Sequence, residues 1–125
     1  MEIITLLSLY LLFQLKHFIC DFLLQTDWIA INKGNPNKEG CKALLIHCAY
    51  HGVGTLLIAL LFAPALWWLA FIDFVIHGII DYIKSNITRI KKWKTTDTSF
   101  WWALGVDQAA HHLTHISFIA VIVLF

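Results

Sequence analysis

The sequence contains little charge for a chain of its size. Only 14% of its 125 residues are charged, whereas 59% are hydrophobic. A water-soluble domain of this length could not cover so much apolar surface with so few charges. The composition therefore excludes an ordinary soluble protein and indicates a membrane protein, and the length corresponds to a single domain.

Sequence signals of several other protein classes are also missing. The three cysteines are odd in number and form no Cys-x-x-Cys motif. Since Cys20 and Cys48 lie in apolar segments, we interpret them as small buried residues and not as a disulfide. The chain has no glycine-rich phosphate loop, no low-complexity tract and no strict internal repeat. We expect no nucleic acid partner.

Four apolar stretches are long enough to cross a membrane, which takes about 20 helical residues. The turn between the second and third contains Pro64, which predicts a tight helical hairpin. The first stretch has no basic region before it and no small-residue cleavage site, so we interpret it as a retained helix. The sequence thus predicts an all-α, integral membrane four-helix up-down bundle with helices at about 3–24, 43–63, 66–83 and 100–125.

The basic residues are concentrated in two polar connections. Eight of the nine Lys and Arg residues lie either between the first two spans or after the third. With four spans, both connections, 25–42 and 84–99, are on the same side of the membrane. The positive-inside bias makes that side cytoplasmic, and it predicts a multi-pass protein of the inner (cytoplasmic) membrane with both termini outside. The eight residues are Lys33, Lys38, Lys42, Lys84, Arg89, Lys91, Lys92 and Lys94.

Histidine and aspartate recur at a regular spacing inside the apolar stretches. Ten of eleven such residues have another His or Asp four positions away, and four-residue spacing places side chains on the same helix face. Ionisable groups are costly in lipid and rarely occur there without a function. The eleven are His17, Asp21, His47, His51, Asp73, His77, Asp81, Asp107, His111, His112 and His115, of which only His112 is off the pattern.

The pairs are predicted to meet at one level. Each lies near the end of the first or third helix or near the start of the second or fourth, and in an up-down bundle these are all on the cytoplasmic side. We therefore predict one metal-binding cavity formed by eight ligands: His17, Asp21, His47, His51, His77, Asp81, Asp107 and His111. Four further residues are predicted to support these ligands without binding metal: Gln25, Asp73, Gln108 and His115.

The ligand types narrow the choice of metal. Imidazole nitrogen and carboxylate oxygen suit zinc, iron, manganese or nickel, and His47-x3-His51 has the spacing of helical zinc proteases, although their Glu is missing. Eight ligands exceed the needs of one tetrahedral ion, so we favour two divalent ions, with zinc preferred. One ion with supporting side chains is the alternative.

A purely structural polar network is the competing interpretation. Interhelical hydrogen bonds between buried His and Asp do stabilise membrane bundles, by about 1 kcal/mol each. An unpaired carboxylate at mid-bilayer costs roughly 3 kcal/mol. The spans contain no arginine, and Lys16 is the one lysine well inside them. The expected counter-charge is therefore a metal cation or protonated histidine.

Four motifs resemble those of a known family. They are Lys16–Trp28 (KHFICDFLLQTDW), His47-x3-His51, His77-x3-Asp81 and Gly105-Val106-Asp107-Gln108-x2-His111. Over nearly the whole chain they resemble the small bacterial and phage membrane proteins grouped as domain of unknown function 3307. That family name implies no activity. A looser, fold-level likeness to membrane-bound metal-dependent hydrolases would imply hydrolysis.

Three functions fit this pattern. The favoured hypothesis is an intramembrane metal-dependent hydrolase of a lipid or lipid-linked ester, amide or phosphoester near the cytoplasmic leaflet, with Asp21, Asp81 or Asp107 as catalytic carboxylate. A metal or proton transport protein using Asp73 and His115 is the second, although the outer half of the spans has almost no polar residue. A di-iron or, less expected, haem redox protein is the third. Assembly into a homo-oligomer stays open.

Overall fold

A computed structural model describes residues 2–125, and within this range the chain forms helices and their connections without a β-strand. This confirms the predicted all-helical class. Helix α1 (Ile3–Phe18) continues directly into a π-helical turn (Ile19–Leu23). It is followed by α2 (Asp27–Asn32), α3 (Lys38–Phe62), a 3-10 turn (Pro64–Leu66), α4 (Leu69–Lys91) and α5 (Thr98–Leu124).

The described residues thus contain five α-helices, where four were predicted. The additional helix, α2, lies within the predicted polar connection 25–42 and begins where Thr26 Oγ1 accepts the N–H of Ile29 at 3.3 Å. Helix α3 begins at Lys38 and not at about residue 43, because the Asn37 side chain caps it. Side-chain oxygens that accept early N–H groups favour a helix start at these positions.

Helix α4 also extends beyond its predicted end near residue 83. It continues to Lys91 and ends where Lys92 adopts a left-handed conformation with φ of 56°. The N–H of Trp93 then bonds the carbonyl oxygen of Thr88 at 3.1 Å, which satisfies one of the last free carbonyls. Hydropathy marks only the apolar part of a helix, whereas backbone hydrogen bonding continues through the polar residues that follow.

Three helical segments are long and apolar enough to cross a membrane: Ile3–Leu23, Lys38–Phe62 and Pro64–Lys91. Helix α5 is 27 residues long but is not among them. Its middle carries Asp107, Gln108 and three histidines, which lower its mean hydropathy. The finding is consistent with a membrane protein.

The four long helices surround a polar interior. Helix α1 packs against α3 and α5, and α4 packs against the same two helices. Among residues 2–125, eleven polar or charged side chains are buried, nearly as many as the twelve buried hydrophobic ones. Large apolar side chains such as Leu61 (71% exposed) and Phe71 (69% exposed) face outward instead. A soluble domain has the opposite distribution, because it buries its apolar groups away from water.

The apolar part of the interior lies at one end of the bundle. It combines the middle of α1 with the last residues of α3 and α5 and the first of α4. The polar interior lies at the other end, next to the 24–37 and 92–97 connections. The buried apolar cluster consists of Leu9, Phe13, Ile58, Leu69, Phe118, Ile119 and Ile122.

Candidate metal centre

Asp21 is the first of two carboxylates around which the polar interior is arranged. It lies in the π-helical turn, a kind of helix distortion that is frequent at functional sites. One oxygen, Oδ1, is 2.9 Å from Nε2 of His51 and 3.3 Å from Nε2 of His47. The other, Oδ2, is 3.0 Å from Nε2 of His17. Asp21 thus connects side chains from α1 and α3.

Asp81 on α4 is the second such carboxylate. Its Oδ1 lies 2.9 Å from His111 Nε2, and its Oδ2 lies 3.2 Å from His47 Nε2. Lys33, at the end of α2, places its Nζ 2.6 Å from the same Oδ2. Since His47 contacts both Asp21 and Asp81, it joins the two halves of the cluster.

The structure brings all eight predicted ligands together. Each has a side-chain nitrogen or oxygen within 3.6 Å of one belonging to another member, and the contacts link α3, α4, α5 and the first span. Their roles as ligands or catalytic groups stay predictions. The members are His17, Asp21, His47, His51, His77, Asp81, Asp107 and His111.

Two overlapping groups within this cluster could hold a metal ion. Asp21, His47, His51 and His77 each offer one ligand atom, and these four atoms lie within 4.8 Å of one another. In a tetrahedral zinc site with bonds of about 2.0–2.1 Å, ligand atoms are roughly 3.3 Å apart. The separation of 3.3 Å between the Nε2 atoms of His47 and His77 matches that spacing. The second group is His77, Asp81 and His111, so it shares His77 with the first.

His17 and Asp107 lie beside these groups and not within them. Gln108 joins the two: its Oε1 is 2.9 Å from His17 Nε2, and its Nε2 donates to Asp107 Oδ2 at 3.1 Å. The same amide nitrogen is 3.5 Å from Asp21 Oδ2. Gln108 therefore contacts three of the eight predicted ligands, the position expected of a supporting residue.

The histidine rings are oriented by their Nε2 contacts and by stacking. The ring centroids of His51 and His77 are 3.5 Å apart, and those of His77 and His111 are 4.0 Å apart. The ring nitrogen that a metal ligand leaves free usually donates to a carbonyl or carboxylate. Here the buried Nδ1 atoms of five rings have no hydrogen-bond partner among residues 2–125: His17, His47, His51 and His77 in the cluster, and His115 beside it.

Asp73 and His115, both predicted to support the ligands, belong to a neighbouring ion-pair cluster around Lys16. Lys16 Nζ lies 2.5 Å from Asp73 Oδ2 and 3.2 Å from His115 Nε2. Thr55 donates its hydroxyl to the same Asp73 oxygen at 2.5 Å. Gly54 leaves room for the lysine, because a Cβ there would lie 2.6 Å from Lys16 Cγ. This polar cluster is one helical turn further from the connections than His77 and His111.

The remaining predicted residues lie at the margin. Gln25 is half-buried just after the π-helical turn, and its Oε1 has no hydrogen-bond partner in the part of the chain that the structure describes. His112 is half-buried, with its ring centroid 5.4 Å from that of His17.

Sequence reasoning missed the two lysines that compensate buried carboxylates. It expected only metal or protonated histidine as counter-charge, whereas Lys16 pairs with Asp73 and Lys33 with Asp81. Lys33 was counted among the cations of the connections. Its pairing with a carboxylate could have been suspected because it lies in a polar connection that leads back to the site. Around the metal groups, three carboxylates against one ammonium leave two negative charges, the amount that one divalent cation neutralises.

Comparison with known proteins identifies a family and no activity. The sequence model of a family described as "Protein of unknown function (DUF3307)" matches residues 9–125. No curated protein and no solved structure matches the chain.

Removal of the Lys16 charge is expected to lower the stability of the fold strongly, and removal of its partner's charge as well is expected to restore most of it. Lys16→Met should destabilise the fold by about 3–5 kcal/mol, because it leaves the Asp73 carboxylate buried without its cation. The double variant Lys16→Met/Asp73→Asn should recover most of this loss, since neither partner is then charged. Thermal unfolding of all three proteins in one detergent measures the effect. A single variant as stable as the parent would contradict the pairing.

Proposed function

Since the chain belongs to the DUF3307 family, whose description carries no activity, we propose from its own geometry that it is an intramembrane metal-dependent hydrolase. Its substrate is a lipid or lipid-linked ester, amide or phosphoester at the cytoplasmic leaflet. The observation that carries the proposal is the convergence of Asp21, His47, His51 and His77 with ligand atoms within 4.8 Å of one another. These ligands come from helices that are connected through the carboxylates of Asp21 and Asp81. A divalent ion held by such a set is suited to metal-assisted hydrolysis.

In this proposal the four long helices span the inner membrane as an up-down bundle with both termini outside. The outward apolar side chains support insertion, and the basic connections support the orientation. Helix α5 fits as a fourth span because three of its four ionisable residues, Asp107, His111 and His115, are buried against the other helices, and the fourth, His112, is half-buried.

We assign a first divalent ion to Asp21, His47, His51 and His77, with zinc favoured over iron or manganese. A second ion would be held by Asp81 and His111, the members of the second group that the first ion leaves free. His77 has one nitrogen directed at the cluster, so it serves one ion at a time. Two divalent ions exceed the two uncompensated negative charges of the site, and the excess favours a hydroxide or an anionic substrate group.

The bound ion would supply an activated water and polarise the bond that is attacked. Asp107 is the carboxylate best placed to accept the proton of that water, because it stands outside both metal groups and its buried Oδ1 has no hydrogen-bond partner in the described chain. Gln108 holds the other oxygen of Asp107 at 3.1 Å. The oxygen of the water forms the new bond, the leaving group departs with the electron pair, and the proton passes from Asp107 to it.

Transport is the second candidate, favoured by the Lys16 cluster, which continues the polar interior by one turn. Beyond it, however, Leu9, Phe13 and Phe118 are almost completely buried in the apolar cluster. An ion or proton would meet no polar group there, which supports hydrolysis over transport through a single chain. A redox role for iron shares the same ligands and differs from hydrolysis in the metal bound.

Metal content distinguishes ligands from neighbours. Elemental analysis of the purified protein should find about two zinc ions per chain. His51→Ala and Asp81→Ala should each lose bound metal and melt earlier, since metal binding and folding are coupled. Gln25→Ala and His115→Ala should retain most of the metal, because supporting residues typically change affinity only ~10–100-fold.

His112→Ala, prepared in the same detergent, is the matched histidine control and should keep both the metal and the melting temperature. Loss of metal in this control but not in His51→Ala would refute the site. Iron with visible absorbance would favour redox chemistry, and a protein that binds no metal would overturn the proposal.

Hydrolysis itself is tested with fluorogenic lipid esters, amides and phosphoesters in mixed micelles. Asp107→Asn should keep the zinc at the first group and lower kcat by about 10²–10⁴-fold, the range that a general base contributes. His112→Ala should keep the parent rate. Full activity of Asp107→Asn would remove that residue from catalysis, and absence of turnover on all three bond types in the zinc-loaded parent would contradict the hydrolase assignment.

Cysteine labelling tests the orientation. Cys41 is exposed near the start of α3, and Ala65→Cys would place a thiol in the turn at the opposite end of that helix. With the buried Cys20 and Cys48 replaced by alanine, a membrane-impermeant maleimide should label residue 65 in intact cells and Cys41 only after permeabilisation. The reverse pattern would invert the topology and place the site at the outer leaflet.

A further inference from the structure

An apolar groove runs between α4 and α5 on the outside of the bundle. Its volume is about 430 Å³, and its walls are formed mainly by Ile80, Ile83 and Ile87 on α4 and by Trp102 and Val106 on α5. The two helices thus leave a slot in which a narrow, flexible apolar molecule can lie.

The groove reaches the metal centre at Asp107, which is one of its lining residues. Asp107 is 5% exposed, and its Oδ1 has no hydrogen-bond partner among residues 2–125 although His111 Nε2 is 3.6 Å away. The groove therefore borders the cluster at a carboxylate whose buried Oδ1 has spare capacity for a ligand.

A basic cavity adjoins the other end of the groove. It has a volume of about 530 Å³ and shares Lys84 and Trp93 with the groove. Three more cations line it, Arg89, Lys92 and Lys94, and no carboxylate of residues 2–125 forms an ion pair with any of the four. Cations in the last turn of α4 also offset its dipole, but this does not account for Lys94, which lies beyond the helix.

We propose that the groove and the basic cavity together bind an anionic glycerophospholipid, with its phosphate in the cavity and an acyl chain in the groove. The charge of the cavity and the apolar character of the groove match the two parts of such a lipid. The identification of this lipid as the substrate rests on the proposed function. Binding of the lipid is a separate property and is measured without turnover.

The spacing along α4 fits a lipid ester as the bond that reaches the site. Lys84 follows Asp81 by three residues, which is about 4.5 Å along a helix axis. The ester bonds of a glycerophospholipid lie a few bonds from its phosphate. A phosphate paired with Lys84 therefore brings these esters into the groove on the side that leads to Asp81 and Asp107, and the acyl chain lies along the rest of the groove.

Tryptophan quenching by brominated lipids tests binding, because Trp93 and Trp102 line the groove. The full-length protein in detergent micelles is titrated with phosphatidylglycerol or phosphatidylcholine that carries bromine on the acyl chains. Half-maximal quenching of the tryptophan fluorescence should require at least tenfold less phosphatidylglycerol than phosphatidylcholine. Trp93→Phe/Trp102→Phe should abolish this preference, whereas the control Trp67→Phe/Trp68→Phe should keep it.

The cations are tested by a pair of matched variants. Lys84→Gln/Arg89→Gln should weaken phosphatidylglycerol binding roughly tenfold, as expected for two cations near an anionic head group. Lys38→Gln/Lys42→Gln removes the same charge from the start of α3 and should leave the preference intact. Equal losses in both double variants would show a general effect of net charge and overturn the assigned cavity.

The remaining outcomes separate this inference from the proposed function. Equal quenching by the two lipids would show ordinary boundary lipid and overturn the inference, even if zinc and hydrolysis are found. Displacement of the lipid by soluble glycerol phosphate at similar concentration would show a free-phosphate site and would also overturn it. Selective phosphatidylglycerol binding by a protein without metal would support the inference while contradicting the hydrolase.

Discussion

The architecture depends on compensating carboxylates inside an apolar bundle. An ionised group removed from water is stable only when it is paired and hydrogen-bonded. Asp73 has Lys16 and Thr55, and Asp81 has Lys33 and His111. Asp21 has three imidazoles around it. These pairings tie α1 to α4, and they bring the short helix α2 back over the polar end of the bundle, so the connections are part of the interior's charge balance.

The sequence was informative about which side chains share a helix face. It was much less informative about which side chains pair with one another. Four-residue spacing and the up-down order of the helices were together sufficient to predict that His47, His51, His77 and His111 meet, since spacing sets the helix face and helix direction sets the level along the bundle. The pairing of Lys33 with Asp81 joins residues 48 positions apart, and no local rule predicts it. Helix α2 was missed because a six-residue helix has too few positions for an apolar stripe, and its start depends on the single hydroxyl of Thr26.

The two ends of the bundle have different physical characters. One is closed by packed Leu, Ile and Phe side chains, and the other contains the histidines, carboxylates and connections. In the proposed membrane orientation, the polar end is enclosed by helices whose outer faces are apolar, so a molecule approaching along the membrane would meet grooves between helices first. This asymmetry favours chemistry on a molecule that enters from the side over passage of an ion from end to end.

The π-helical turn at Ile19–Leu23 constrains the number of residues in the first apolar segment, Ile3–Leu23. A turn with i→i+5 hydrogen bonds contains more residues per turn than the α-helix before it. Deleting Ile19 or Cys20 would shorten the spacing between His17 and Asp21 from four residues to three, and since an α-helix turns by about 100° per residue, the Asp21 carboxylate would rotate away from its present partners. Phe22 and Leu23 are about two-thirds exposed, so their identities are free to vary. Changes of length within Ile19–Leu23 are therefore expected to be selected against, whereas Phe22 and Leu23 can be exchanged for other apolar side chains.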